Sequence, residues 1–173
     1  MIEIPTLTTE RLTLRAPNAE DFGPLTEFYA DDRSKFVGGP ATAEQTWRSL
    51  ATEIGHWTLR GYGRWTVVET ATGRMAGLIG PWYPEGWPEP EIGWDLMNGF
   101  EGKGYATEAA LATRRYVYDV LNWPTAISLV AVGNDPSARL ALRVGCTEEP
   151  APYIHERWGQ MRVFRHPAPE AAA

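Results

Sequence analysis

The stretch Glu91–Leu121, EIGWDLMNGFEGKGYATEAALATRRYVYDVL, decides how the rest of the chain is read. It opens as a short strand, breaks at Asn98-Gly99, passes through Gly102-Lys103-Gly104 and enters a long helix. Ala106, Ala109, Ala110, Val117, Val120 and Leu121 are expected on one face of that helix. The first turn of a helix leaves several backbone N–H groups without intrahelical partners, and the helix dipole places positive charge there. Glycines at such a junction let a phosphate approach the main chain, so these residues fit either an anion site or a plain tight turn.

Around this stretch lies a chain of 173 residues, long enough for one domain with a sizeable core. A formal charge of −6 argues against a nucleic-acid partner, because broad phosphate-backbone binding needs a basic surface. Lys35 and Lys103 are the two lysines, and the second sits inside the glycine loop. A single cysteine, Cys146, excludes an internal disulfide and a cysteine-based metal site. No His-Glu-x-x-His pattern or Ser-His-Asp triad is found, and no metal is expected. A P-loop hydrolase is excluded because Gly-Lys is followed by Gly104 instead of Ser or Thr. No apolar run is long enough to span a bilayer, and MIEIPTLTTERLTLR lacks a basic-then-apolar leader. A cytoplasmic location without a membrane partner is the expectation.

Along the chain, residues 8–15 alternate as a half-buried strand, and Asn18 caps a helix through Phe22, Leu25, Phe28 and Tyr29. Thr42-x-x-Gln45 is a capping box ahead of a second helix carrying Trp47, Leu50, Ile54, Trp57 and Leu59. Strands are expected at 64–69 and 75–82, joined by a Gly73 hairpin, and at 91–97 beyond a proline-rich loop holding Tyr83 and Trp87. Residues 126–132 read as a strand buried on both faces, Asn134 to Gly145 as a helix, and 147–154 and 157–165 as strands. The fold class is α/β: a mixed sheet of about seven strands with about four helices and one β-α-β crossover. The domain spans 8–166, with 167–173 expected as a disordered tail.

The opening TTERLTLRAPNAEDF, the loop and helix EIGWDLMNGFEGKGYATEA and the segment NDPSARLALRVGC together resemble the GCN5-related N-acetyltransferase (GNAT) superfamily, and within it the RimJ/RimL-like branch. The resemblance implies acetyl-CoA as co-substrate, with Gly102, Lys103, Gly104, Tyr105, Ala106 and Thr107 cradling the pyrophosphate. It also implies that the Leu96 and Met97 backbones pair with the cofactor arm like an added strand, and that Asn134 and Ser137 lie beside that arm. On the residues alone, capping of the fourth helix is the favoured reading of Asn134 and Ser137.

Three positions depart from the family pattern. Glu101 stands where Gln or Arg is usual, so it is expected to face solvent or pair with a cation. Cys146 replaces a Phe and is read as a small core residue. Ala141 occupies the place where many members carry a Tyr that protonates the leaving thiolate. The implied reaction is direct acetyl transfer to a primary amine, which must first lose a proton to a base. Glu91 is the favoured base, with Glu89 the runner-up and Asp95 and His155 also in view. A main-chain N–H of the strand before the loop is expected to hold the oxyanion. Trp82, Tyr83, Trp87 and Trp94 are expected to shape an acceptor pocket for a small-molecule or peptide amine. The alternative is a non-catalytic acyl-CoA-binding module of the same fold; association into a homodimer is left open.

Overall fold

The computed structural model describes residues 3–172. Nine strands share one mixed sheet: β1 (Leu7–Thr8), β2 (Leu12–Arg15), β3 (Trp65–Glu69), β4 (Met75–Trp82), β5 (Glu91–Leu96), β6 (Ile127–Ala131), β7 (Thr147–Glu148), β8 (Tyr153–His155) and β9 (Gly159–Arg165). Their order is β1-β2-β3-β4-β5-β6-β9-β7, with β8 paired to β9 off that path. Four helices, α1 (Phe22–Ala30), α2 (Ala43–Arg60), α3 (Tyr105–Asp119) and α4 (Asp135–Arg143), cover the sheet. A one-turn helix, α5 (Pro169–Ala172), falls in the tail expected to be disordered, and Tyr118 Oη donates to the Pro167 carbonyl nearby (2.8 Å).

The strand count exceeds seven because two expected strands are each cut by a turn. Thr9 N–H donates to the Leu12 carbonyl and folds 8–15 into the β1–β2 hairpin. Pro150 and Pro152 cannot donate to a ladder, so 147–154 splits into β7 and β8.

Neighbouring strands run antiparallel except β5 and β6, which are parallel and share a single register pair, Glu91 with Ile127. The two faces of β5 have different environments. Ile92 packs with Val117 and Tyr118 of α3, whereas Glu91, Gly93 and Asp95 turn to the α2 side, where Asp95 meets Arg64 and Arg64 meets Glu53.

Helix α2 begins with the expected capping box: Thr42 Oγ1 accepts from Gln45 N–H (3.2 Å) and Gln45 Oε1 from Thr42 N–H (2.8 Å). It ends at Gly61, whose φ of 77° suits glycine. Its buried face is Thr46, Leu50, Glu53 and Trp57, so Trp47, Ile54 and Leu59 are exposed instead of buried. Val120 at the end of α3 is likewise exposed.

Trp57 fixes α2 to the sheet, with its indole N–H donating to the Arg64 carbonyl (2.9 Å) and its ring edge-on to Trp65 (5.2 Å). Trp57→Ala is expected to destabilise the fold by about 3–5 kcal/mol. Urea denaturation checks this; a loss below about 1 kcal/mol would contradict the role.

Candidate active site

Two cavities meet where β5 and β6 part. The larger, about 940 Å³, is a groove between the loop at 100–107, the segment 32–37 and α4. Gly104 is the N-cap of α3 with φ 80°, and no side chain caps the helix. A Cβ on Gly102, where φ is 74°, would meet nothing within 4 Å, so the main chain faces the groove bare. Thr107 lines the groove, and its buried hydroxyl oxygen has no partner among the described residues. Arg33, Lys35, Arg139 and Arg143 add cationic side chains to the walls. Bare amides, a positive helix end and an unpartnered hydroxyl together fit a polyanionic phosphate group.

The far side of the loop is anchored. Arg11 donates to the Lys103 carbonyl (2.8 Å), pairs with Glu108 (2.7 Å) and lies over the Tyr105 ring, while Tyr105 Oη donates to Glu69 (2.5 Å). Across the groove, Arg33 pairs with Glu101, which also accepts from Gly99 N–H (2.7 Å).

The smaller cavity, about 420 Å³, lies on the α2 side and is walled by Tyr29, Trp82, Trp87, Trp94 and Trp158. Phe36, Val37, Trp94, Asp95, Asn134 and Ser137 line both cavities, so the groove opens into the pocket. Half-buried Arg64 forms part of the pocket wall; it donates to Glu53 and to Asp95 (2.8 Å), with its guanidinium over Trp82 (4.9 Å). Burial pushes the Asp95 carboxyl above its ordinary range, against the pull of Arg64.

Glu91 also lines the pocket and is 6% exposed. Its Oε1 accepts from the Leu129 N–H (3.0 Å) and its Oε2 from the Trp87 indole N–H (2.5 Å). Burial lifts its pKa to about 7, although Trp87, the Leu129 N–H and Arg64 all oppose the rise. Below it, Ser128 Oγ donates to the Ile92 carbonyl (2.7 Å) and so accepts from His166 Nε2 (3.0 Å). Burial lowers the His166 pKa to about 3, which keeps that ring neutral.

Residues 11–147 match the model of the acetyltransferase (GNAT) domain family. The chain belongs to that family. It is 31% identical over 139 residues to the uncharacterized N-acetyltransferase p20 of Bacillus licheniformis, covering 78% of each chain. The crystal structure of an acetyltransferase from Agrobacterium tumefaciens superposes with a TM-score of 0.87 at 38% identity, covering 96% of both chains. RimL, the ribosomal L7/L12 α-N-protein acetyltransferase solved in complex with coenzyme A, shares the fold (TM-score 0.74, 16% identity, 94% and 97% covered).

Placed on this GNAT frame, the residues expected at the groove divide. Leu96, Gly102, Gly104, Tyr105, Ala106, Thr107, Asn134 and Ser137 line it. Lys103 does not; its ammonium lies over Phe100 and Tyr105 and 3.8 Å from Glu69. Met97 is a correction: its N–H donates to the Ala76 carbonyl and its own carbonyl accepts from Phe100, so no main-chain edge is left there. The Pro90 and Ile92 carbonyls point toward β6, and by alternation Trp94 and Leu96 turn theirs the same way. Asn134 caps α4, accepting from Ser137 N–H (3.4 Å), and still lines both cavities.

Among the base candidates, Glu89 is bound bidentately by Arg165 (2.6 and 2.8 Å), which holds its pKa low, and it lines neither cavity. His155 lines the pocket but spends Nδ1 on the Arg157 and Trp158 N–H groups. Tyr83 lies outside both cavities beneath Arg60. Cys146 is buried, which pushes its thiol up to about 12.

Sequence reasoning missed Glu53, Arg64, Phe36 and Trp158. Glu53 had a readable signal, a carboxylate in phase with Leu50 and Trp57 on a buried helix face. Arg139→Glu with Arg143→Glu, both exposed on α4, is expected to weaken coenzyme A binding by roughly tenfold or more, equal to ~1.4 kcal/mol, without changing Tm. Calorimetric titration checks this; unchanged affinity would move the phosphates elsewhere.

Proposed function

We propose that this GNAT protein transfers the acetyl group of acetyl-CoA directly to a primary amine, with Glu91 as the general base. The observation that carries the proposal is a buried carboxylate with a pKa of about 7, in a pocket that opens into the phosphate-ready groove. A base of that pKa is half ionised at neutral pH and still strong enough to take an ammonium proton. Acetyl-CoA supplies a thioester carbon open to attack by nitrogen. Glu91 removes the proton that blocks the nitrogen lone pair, directly or through one water. Gly93 leaves a notch beside it, since a Cβ there would lie 3.6 Å from Arg64 Cδ and 3.9 Å from the Glu91 carboxyl carbon.

Ala141 is fully buried and offers no proton for the leaving sulfur. Ser137 takes that part in this reading as a relay, passing to the sulfur the second proton that the attacking nitrogen sheds. Its Oγ accepts from the Trp94 indole N–H (2.7 Å), which leaves its own hydrogen free where the cavities join. The free edge at Trp94 and Leu96 is the proposed seat of the cofactor arm, and the site works in a cytoplasmic, metal-free setting.

Glu91→Gln keeps an acceptor for the Leu129 N–H but cannot take a proton. It is expected to lower kcat by roughly 10²–10⁴-fold with coenzyme A affinity intact. The active form of Glu91 is the carboxylate, so wild-type kcat/KM should rise with pH and reach half its plateau near 7. Thiol release from acetyl-CoA with an amine panel across pH 5–9 measures both. A wild-type rate for the variant, or a flat profile, would remove Glu91 as base.

A further inference from the structure

The acceptor pocket is roofed by three segments that hold one another. Tyr153 Oη, on β8, donates to the Gly86 carbonyl of the proline-rich loop (2.8 Å), and Trp87 of that loop packs edge-on to His155 (5.1 Å). Trp158, in the β8–β9 turn, reaches across to the loop before α2, where a Cβ on Gly38 would stand 3.1 Å from its ring. A space of about 420 Å³ beneath this roof is the size of a small-molecule site.

The charges inside are already paired. Glu53 and Asp95 are both bound to Arg64, so neither is free for a second ammonium and Arg64 is not free for a substrate carboxylate. Glu85 and Arg157, the other charged residues described on this lining apart from Glu91, are exposed; Glu85 lies 3.8 Å from Arg60, and Arg157 covers the Trp158 ring. Glu91 is left as the one buried carboxylate without a cationic partner among the described residues lining the pocket. The rest of the wall is aromatic: Trp82, stacked on His56 (4.4 Å) with Arg64 over its ring, lines the pocket with Trp87 and Trp158, a surface suited to an apolar body.

Resting on the acetyltransferase reading above, we infer that the acceptor is a small primary monoamine with an apolar, ring-bearing body. Polyamines, amino acids and polypeptide termini fit the pocket less well. A polyamine would bury ammonium groups with no carboxylate to meet them, and an amino acid would bury an unmatched carboxylate; both are strongly disfavoured. A polypeptide terminus would have to thread under the Trp158 roof. In the transfer, the nitrogen–acetyl bond forms as the carbon–sulfur bond breaks. One nitrogen proton leaves through Glu91 before attack, and the second passes from the adduct nitrogen by way of Ser137 Oγ to the sulfur, so coenzyme A departs as the thiol and Ser137 keeps its hydroxyl.

The test measures kcat/KM with acetyl-CoA for 2-phenylethylamine, spermidine, alanine and a hexapeptide with a free N-terminus. The aryl amine is expected to lead each of the others by at least ~10-fold. A lead for spermidine, alanine or the peptide would overturn this inference and leave the N-acetyltransferase reading standing. Coenzyme A binding by calorimetry without thiol release from any amine would remove both. Trp158→Ala, which opens the roof, should narrow the gap between the aryl amine and the peptide; an unchanged ratio would contradict the roof as the selecting element.

Discussion

Past Glu91 and Ile127 the two parallel strands at the centre of the sheet separate, and the chain must satisfy the backbone groups that this opening strands. Side chains take over the ladder. The Glu91 carboxylate accepts the Leu129 N–H, and Ser128 Oγ donates to the Ile92 carbonyl. The parting gives the phosphate-ready groove and the aromatic pocket a common wall at Trp94, Asn134 and Ser137. It also explains why a carboxylate is buried there at all. Glu91 is held by two donors strong enough to keep it in place but lacks a direct cationic partner among the described residues, and burial raises its pKa to about 7.

The second constraint is Arg64, held between the buried carboxylates Glu53 of α2 and Asp95 of β5. Ion pairs of this kind often add little net stability, yet removing one partner leaves an uncompensated buried charge costing about 3–5 kcal/mol. The cluster fixes α2 against β5 at the height of the pocket. It also decides which charges remain available to a substrate. The same residues that position the helix therefore set the electrostatics of the acceptor site.

How much of this was readable beforehand depended on whether the signal was local. The Gly102–Thr107 junction, the α2 capping box and the buried strand at β6 each announce themselves within a few residues, and each lies close to where it was expected. Features made by distant residues were not legible. Met97 was expected to offer its backbone, but the register of β5 against β4 turns that edge inward. Its place at the start of the strand favours Glu91 over Glu89, but no local signal shows that Arg165, 76 positions away, ties Glu89 down, or that Trp87 and the Leu129 N–H hold Glu91. Trp158 enters the site through a turn whose own residues say nothing of Gly38. On α2, apolar identity misled: Ile54 and Leu59 face outward while Glu53 faces inward, because Arg64 gives a carboxylate a reason to be buried.

The central claim is that donor and acceptor meet in the gap between β5 and β6. A crystal structure with coenzyme A tests it most directly. The account predicts the pyrophosphate on the amides of 102–107, the arm along Leu96 and Trp94, and the sulfur beside Ser137 Oγ, facing Glu91 across the mouth of the pocket. A sulfur outside the gap, or an arm paired with another strand edge, would contradict it.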